Sequence, residues 1–266
     1  MRLFKELKII SYLAPNWLGF YQAIAAYLGR VLGVETQLHE GKCDPLEDFL
    51  LLQDQLDLAF ICGLPLTRHS QVVSDQFQTL VAPVMQSSRY GDRPIYYADV
   101  IVNANSDIRA FADLVDKTFC YNDLGSNSGY NLLSYRLFQE KYPHIFFSQT
   151  IQSGSHQRSI RFVIEGLADC AAIDSVVLEK ELSDFPELSG HLRVVEVLGP
   201  SPMPPLVAAQ RLGMSLIEQM QLALLQPDAE LQTVMKQFGV KRFAAVELKD
   251  YEILWQMYEM KGMLTE

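Results

Sequence analysis

The chain has 266 residues, of which 49% are hydrophobic and 20% are charged. This composition is typical of a folded globular protein and excludes a disordered chain, a collagen and a disulfide scaffold. With 22 Lys and Arg against 32 Asp and Glu, the net charge is −10, so the chain has no general electrostatic attraction for nucleic acid or anionic membranes. Any anion that it binds must be held locally, by oriented dipoles or a few donors.

The predicted elements alternate between strand and helix along most of the chain. Short apolar runs bounded by turn signals predict buried strands, and apolar residues at spacings of three and four predict amphipathic helices. The predicted strands are Lys8–Tyr12, Val34–Leu38, Leu56–Cys62, Phe77–Pro83, Tyr97–Asn103, Thr118–Tyr121, Cys170–Ile173 and Arg193–Leu198. The predicted helices are Leu18–Leu32, Pro45–Leu52, Ile108–Leu114, Tyr130–Glu140, Ile160–Leu167, Met214–Leu225, Glu230–Phe238 and Ile253–Leu264. This alternation favours mostly parallel sheets with helices on their faces, the α/β class.

Two stretches rich in turn-forming residues divide the chain into three segments. A dense turn signal lies near residues 90–97, and a proline-rich connector follows the strand near residues 196–205. We therefore predict that residues 1–96 form the first segment of lobe 1, residues 97–199 form lobe 2, and residues 200–266 return to lobe 1. In such an arrangement we expect the ligand in a cleft between the lobes, outside the carboxyl ends of strands.

The N-terminal region resembles neither a membrane span nor a good signal peptide. The stretch from Ile9 to Gly29 has no formal charge, but Pro15 and Trp17 interrupt it, so we expect no membrane insertion. Ala23–Ala25 resembles a cleavage site, although the apolar run before it is short. We predict a chain that is mature from Met1, cytoplasmic as it stands, or periplasmic if a leader has been removed.

The four cysteines give no sign of a metal or redox site. Cys43, Cys62, Cys120 and Cys170 lie far apart and form no C-x-x-C pair. Isolated cysteines of this kind are typically buried free thiols. We expect no bound metal and no cofactor.

The most informative segment, Asn122–Tyr130, joins a predicted strand to a predicted helix. The first N–H groups of a helix have no partner within it, and the helix dipole places partial positive charge there. Ser126, Asn127 and Ser128 add hydroxyl and amide donors at this point, so the loop could hold an oxyanion without a lysine or arginine. The alternative is simple capping of the helix by Ser126 or Ser128.

Two further segments place polar side chains at the ends of elements. His156 follows Ser153–Ser155 just before a helix, where it could donate to an anion or serve as a capping or surface residue. Asp174 follows a buried strand and could bind a ligand or cap the next helix. Asp57 and Asp169 lie at the starts of their strands, and we interpret them as structural caps.

Seven segments along the chain carry a family resemblance in their order and spacing. They are Leu56–Phe60, Tyr96–Val102, Ser106–Leu114, Ser126–Tyr130, Gly154–His156, Gly166–Ser175 and Pro204–Val207. Together they resemble the phosphate- and phosphonate-binding branch of the type II periplasmic binding proteins, the solute receptors of ABC transporters. The fourth resembles the Ser-Thr-Ser-Gly anion loop of that branch, with Asn127 in place of the usual threonine.

The resemblance implies an α/β, two-lobed periplasmic-binding-protein type II fold, with mixed, mostly parallel sheets and helices on both faces. It implies a non-catalytic receptor that closes on a small oxyanion such as phosphonate, phosphate or phosphite, with an ABC permease as a partner. Ser126, Asn127 and Ser128 would hold anion oxygens, His156 would donate another bond, and Tyr96 would line the cleft. The connector lacks the acid with which some members hold a ligand amine. Asp174 is the residue that could take that role here.

Two other classes of function use the same fold. One is a cytoplasmic enzyme, like the menaquinone-biosynthesis proteins that carry out dehydration chemistry. The other is a thiamine- or pyrimidine-precursor protein, whose ligand would stack on Tyr12, Trp17 or Tyr96. Nothing in the sequence pairs a nucleophile with a base, so we predict no catalytic residue.

Overall fold

The computed structural model describes residues 5–142 and 146–262, and it divides into two compact units, each with its own β-sheet. One unit runs to Ile95 and resumes over Pro202–Trp255. The other comprises Tyr96–Ser201 and continues from Gln256. The predicted α/β class, with mixed sheets and helices on both sides, is confirmed.

The strands and helices are numbered in chain order. The strands are β1 (Glu6–Ser11), β2 (Glu35–Glu40), β3 (Leu58–Phe60), β4 (Phe77–Met85), β5 (Ile95–Asn103), β6 (Thr118–Tyr121), β7 (Gln149–Gln152), β8 (Cys170–Asp174), β9 (Leu192–Pro202), β10 (Leu206–Ala209) and β11 (Val240–Ala245). The helices are α1 (Leu18–Leu32), α2 (Phe49–Leu52), α3 (Gly63–Val72), α4 (Leu132–Gln139), α5 (His156–Glu165), α6 (Ser175–Asp184), α7 (Met214–Leu225), α8 (Ala229–Gln237) and α9 (Glu252–Gly262).

The sheet of the first unit has the strand order β11-β4-β10-β3-β1-β2. β1 is parallel to β2 and β3, whereas β10 is antiparallel to both β3 and β4. β10, from the returning part of the chain, therefore lies between two strands from the first part. The central strand β3 is fully buried, with Leu58, Ala59 and Phe60 at most 4% exposed, because the sheet is covered on both faces.

The sheet of the second unit has the order β7-β6-β8-β5-β9. β6 is parallel to β7 and β8, and β8 is antiparallel to β5. Successive residues of a strand face opposite sides of a sheet, so Val100 and Val102 pack in one buried cluster with α4, and Ile101 packs in another with α5 and α6. The two clusters together hold the sheet between layers of helices.

Asp57 and Asp169 have the structural role expected of them. The Asp57 carboxylate accepts from Lys8 N–H at 2.7 Å, and the Asp169 carboxylate accepts from Thr118 N–H at 2.8 Å. In each case an acid just before a strand bonds to the backbone of the neighbouring strand. Arg211 adds an ion pair to Asp57 at 2.6 Å, so the charge of this buried carboxylate is compensated.

The last helix departs from the expectation that residues 200–266 all return to the first unit. From Gln256 the helix belongs to the second unit. The cause is packing: Met257 contacts the buried cluster around Phe111 and Phe119, and Met260 Sδ lies 3.9 Å from the Tyr135 hydroxyl. The helical spacing of apolar residues was visible in the sequence, but the core that they contact was not.

Several predicted elements have different bounds, and two of these differences change the description of the fold. The helix expected over Ile108–Leu114 is only a 3-10 turn at Phe111–Leu114, whose start is held by Asp113 accepting from the backbone of Arg109 and Ala110. β9 runs to Pro202, into the proline-rich segment interpreted as a connector, and this brings Ser201 into the second unit. Within the described residues, no helix combines the length and apolarity that crossing a bilayer requires.

Candidate functional site

The loop after β6 starts a helix through one turn of π-helix, Asn127–Asn131, which continues directly into α4. Ser126 caps this turn, because its Oγ accepts from Gly129 N–H at 3.0 Å. Asn131 N–H closes the wide turn onto the Ser126 carbonyl at 3.0 Å. The capping alternative therefore accounts for Ser126 but not for Ser128, whose hydroxyl bonds elsewhere.

Asn127 joins two other side chains of the second unit. It is 2% exposed, and its Nδ2 donates to the Tyr96 hydroxyl at 2.7 Å and to Ser201 Oγ at 3.2 Å. Tyr96 comes from β5 and Ser201 from the end of β9. The sequence predicted that the Asn127 side chain holds an anion oxygen. Its Nδ2 instead donates to two buried hydroxyl groups, so the side-chain amide donors are not directed at a ligand.

His156 lies beside Ser128, as the first residue of α5. Its Nε2 is 3.1 Å from Ser128 Oγ, and its Nδ1 is buried without a hydrogen-bond partner. Ser155 caps the helix by accepting from Arg158 N–H at 3.2 Å. Burial lowers the pKa of His156 to about 4, because an imidazolium loses its hydration there. The imidazole is therefore neutral near pH 7.

The hydroxyl groups around His156 continue behind the loop. Ser153 Oγ lies 2.7 Å from Ser159 Oγ and donates to the Tyr121 carbonyl, while Asn122 Oδ1 is buried without a hydrogen-bond partner. The hydrogen bonds recorded for Ser126, Asn127, Ser128 and His156 go to hydroxyl, amide, imidazole and backbone groups. Across the described residues, none of them goes to a lysine or arginine.

Asp174 and Tyr12 are held by other contacts. Asp174 caps α6, with its Oδ1 accepting from Val176 N–H at 2.8 Å and from Val177 N–H at 3.4 Å. Burial raises its pKa to about 7. Tyr12 belongs to the first unit, where its hydroxyl donates to Asp48 at 2.8 Å, and burial raises its pKa. Within the described residues of the second unit, no hydrogen bond joins Asp174 to the Ser126–Ser128 loop.

Ser201 and Asn122 were missed in the sequence interpretation. Ser201 is 2% exposed beside Asn127, but it lies between prolines in a segment that predicted a connector. Its one sequence signal is a polar residue at the end of a strand.

The described residues place no three His, Cys, Asp or Glu side chains where they could jointly hold a metal ion.

The sequence matches the model of a protein family over residues 11–251. That family is described as ABC transporter, phosphonate, periplasmic substrate-binding protein. No curated protein matches the sequence.

Solved structures of similar proteins superpose over nearly the whole chain. A binding protein component of an ABC phosphonate transporter from Pseudomonas aeruginosa has a TM-score of 0.83 at 17% identity, covering 97% of this chain and 87% of that one. PhnD1 from Prochlorococcus marinus, in complex with methylphosphonate, has a TM-score of 0.83 at 19% identity, covering 98% of both chains. XAC2383 from Xanthomonas citri, bound to ATP, has a TM-score of 0.73 at 15% identity, covering 98% of both chains. At these identities the likeness confirms the predicted type II periplasmic binding protein fold.

Proposed function

Because the chain belongs to the family of periplasmic substrate-binding proteins of phosphonate ABC transporters, we propose that it binds a small phosphorus oxyanion through Ser126–Ser128. The family resemblance seen in the sequence is confirmed, and so is the class of function, a transporter substrate-binding protein rather than an enzyme. This family model describes neither of the two alternatives, the same-fold biosynthetic enzyme and the thiamine- or pyrimidine-precursor protein.

The observation that carries the ligand proposal is a buried cluster of polar side chains at the starts of two helices. Asn127, Ser128 and His156 are each less than 10% exposed, although residues of these types usually lie partly in solvent. The helix start adds backbone N–H groups and partial positive charge. An oxyanion satisfies these donors with charge-assisted hydrogen bonds, which are about twice as strong as neutral ones.

The charge of the protein supports recognition by short-range donors. The net charge is −10, so the average field does not attract anions. His156 is neutral near pH 7, and Ser126 and Ser128 are neutral hydroxyl groups. The anion is therefore held by oriented dipoles, which bind it only when its oxygens fit the loop.

The ligands best supported are phosphonate, phosphate and phosphite. PhnD1, solved with methylphosphonate, shares the fold of this chain at 19% identity. The three ions present a similar group of phosphorus-bound oxygens to a helix start. We further propose that an ABC permease receives the ligand, since the family is described as part of an ABC transporter. The contacts of Asp174 and Tyr12 support structural roles for these two residues.

Calorimetry with methylphosphonate, phosphite and inorganic phosphate tests the proposal. Ser128→Ala removes a hydroxyl donor, and we expect it to weaken binding tenfold to a hundredfold, equivalent to about 1.5–3 kcal/mol. Ser128→Asp should abolish binding while the protein stays folded, because a fixed carboxylate repels the anion. The control is Ser148→Ala, at an exposed serine of the same unit. Full affinity in both Ser128 variants would place the ligand elsewhere.

A further inference from the structure

In the hydrogen bond between His156 and Ser128, either residue can be the donor. The choice decides whether the Ser128 hydroxyl offers a ligand its proton or only its lone pairs. The distance from Nε2 to Ser128 Oγ is 3.1 Å. If Nε2 carries the imidazole proton, it donates to Ser128, and the serine keeps its own proton for the ligand. If Nδ1 carries the proton, Ser128 must donate to Nε2, and only its lone pairs remain for a ligand. Lone pairs repel an anion.

The position of Nδ1 decides between the two forms. Nδ1 is buried and has no hydrogen-bond partner. A buried N–H donor without an acceptor has lost its hydrogen bond to water and gained none in return, which is unfavourable. His156 is also the first residue of α5, ten residues long, whose N-terminus carries partial positive charge. A lone pair at Nδ1 is favoured there over an N–H group, which leaves the proton on Nε2.

We propose that His156 is a positioning residue: its Nε2–H donates to Ser128 Oγ and so turns the Ser128 hydroxyl proton toward the bound oxyanion. This inference rests on the proposed anion role of Ser128 and changes the role that the family resemblance implied for His156, a direct bond to the anion. Burial keeps the imidazole neutral, with a pKa of about 4, so His156 contributes through geometry and not through charge.

Asn127 makes a comparable contact with a second hydroxyl group, that of Ser201. Its Nδ2 donates to Ser201 Oγ at 3.2 Å, so this hydroxyl also acts as an acceptor toward a nitrogen donor of the protein. A hydroxyl that accepts in this way retains its own proton as a donor. Two nitrogen-bearing side chains thus orient hydroxyl groups.

A matched pair of substitutions separates the two nitrogens of His156. Glutamine places an amide nitrogen near the position of Nε2, whereas asparagine places one near the position of Nδ1. With methylphosphonate and inorganic phosphate as the calorimetric probes, we expect His156→Gln to bind within about threefold of the parent protein. We expect His156→Asn to bind at least tenfold more weakly. Equal losses in the two variants would contradict the inference, provided that both unfold at the denaturant concentration of the parent.

A double-mutant cycle with Ser128→Ala tests whether His156 acts through the serine. In the Ser128→Ala protein, His156→Asn should change the affinity by less than about twofold, because no hydroxyl remains to be oriented. If the loss caused by His156→Asn persists at its full size in the Ser128→Ala protein, His156 contacts the ligand itself and the inference is wrong.

A ligand-free measurement distinguishes failure of this inference from failure of the proposed function. Long-range ¹H–¹⁵N spectra report the tautomer of each of the five histidines, and the His156 signals are assigned by their loss in His156→Gln. We expect the neutral Nε2–H tautomer between pH 5.5 and 8. A proton on Nδ1 overturns the inference whether or not either probe binds. If the Nε2–H tautomer is found and neither probe binds, it is the proposed ligand that fails, and the orientation of Ser128 stands.

Discussion

Gly129 lies so close to Asn122 that a Cβ atom built on it would be 1.7 Å from Asn122 Oδ1. The same Cβ would be 3.1 Å from Cε1 of His156. Non-bonded carbon and oxygen atoms do not approach to 1.7 Å, so Gly129→Ala must displace the Asn122 amide or the start of the helix. We expect this substitution to lower the free energy of unfolding by about 1–3 kcal/mol and to weaken oxyanion binding, measured by urea titration and calorimetry.

Two variants serve as controls for this steric explanation. A Cβ on Gly190, in the same unit, meets no atom within 4 Å, so Gly190→Ala should leave stability within about 0.5 kcal/mol of the parent. Adding Asn122→Ala to Gly129→Ala removes the obstructing amide and should restore most of the lost stability. If the double variant is less stable than Gly129→Ala alone, the contact with Asn122 is not the cause.

Asn127 should matter for stability as well as for binding. Asn127→Ala removes the Nδ2 donor shared by Tyr96 and Ser201, whose side chains are 1% and 2% exposed. Loss of hydrogen bonds at buried partners costs about 1–3 kcal/mol. Thermal or urea unfolding measures the loss, and Asn105→Ala, at an exposed asparagine of the same unit, is the control. Equal stability of the two variants would mean that the hydrogen bonds of Asn127 add nothing to folding.

A third stability prediction concerns the buried acid Glu181. Its carboxylate is 3% exposed and accepts from Arg161 at 2.8 Å. Arg161→Ala breaks this ion pair at a buried carboxylate, so we expect a loss of about 3 kcal/mol in the free energy of unfolding. Lys180→Ala, which breaks the more exposed pair with Asp184 on the same helix, should cost less than about 1 kcal/mol. Glu181→Gln in the Arg161→Ala background should recover part of the loss; no recovery would mean that the charge of Glu181 is not what makes Arg161→Ala destabilising.

Asp174 should make the protein less stable as the pH rises. Burial raises its pKa to about 7 in the folded protein, while an aspartate in an unfolded chain titrates near 3.9. Between about pH 4 and pH 7 the folded state therefore binds a proton that the unfolded state has released, so the free energy of unfolding falls with increasing pH in this window. Asp174→Asn should remove up to about 1.4 kcal/mol per pH unit of that slope, and asparagine can still cap α6.

Urea titrations at four pH values from 4.5 to 7.5 measure this slope. Asp113→Asn is the control, because hydrogen bonds from the backbone of Arg109 and Ala110 lower the pKa of Asp113. Its titration therefore falls below the window, and the slope above pH 5 should stay as in the parent. An unchanged slope in Asp174→Asn would mean that Asp174 is ionised throughout.

Local sequence patterns predicted much of the fold because many elements are bounded by strong signals. The helices Leu18–Leu32 and Met214–Leu225 and the strand Thr118–Tyr121 have the predicted bounds. α1 ends where Gly33 adopts a left-handed conformation with φ 66°, which glycine permits at no steric cost. Such signals act within a few residues and need no knowledge of the distant chain.

The contacts of the candidate site depend on side chains that are far apart in sequence. Ser128 and His156 were expected near a ligand, but their contact joins positions 28 residues apart, and the Asn127–Ser201 bond joins positions 74 residues apart. A local pattern gives residue types but not the atom that each donor meets. The Asn127 amide was therefore interpreted as a ligand donor, although its Nδ2 is committed to hydroxyl groups within the unit.

The place of β10 in the first sheet sets an order of events during synthesis of the chain. The ribosome completes β5–β9 of the second unit before it makes β10, although the first unit begins earlier in the chain. Until Leu206–Ala209 emerges, β3 and β4 lack the strand that separates them in the finished sheet. The nascent chain therefore carries unpaired, apolar strand edges at β3 and β4 while all five strands of its second sheet have already been made, and exposed edges of this kind are where chaperones act and aggregation begins.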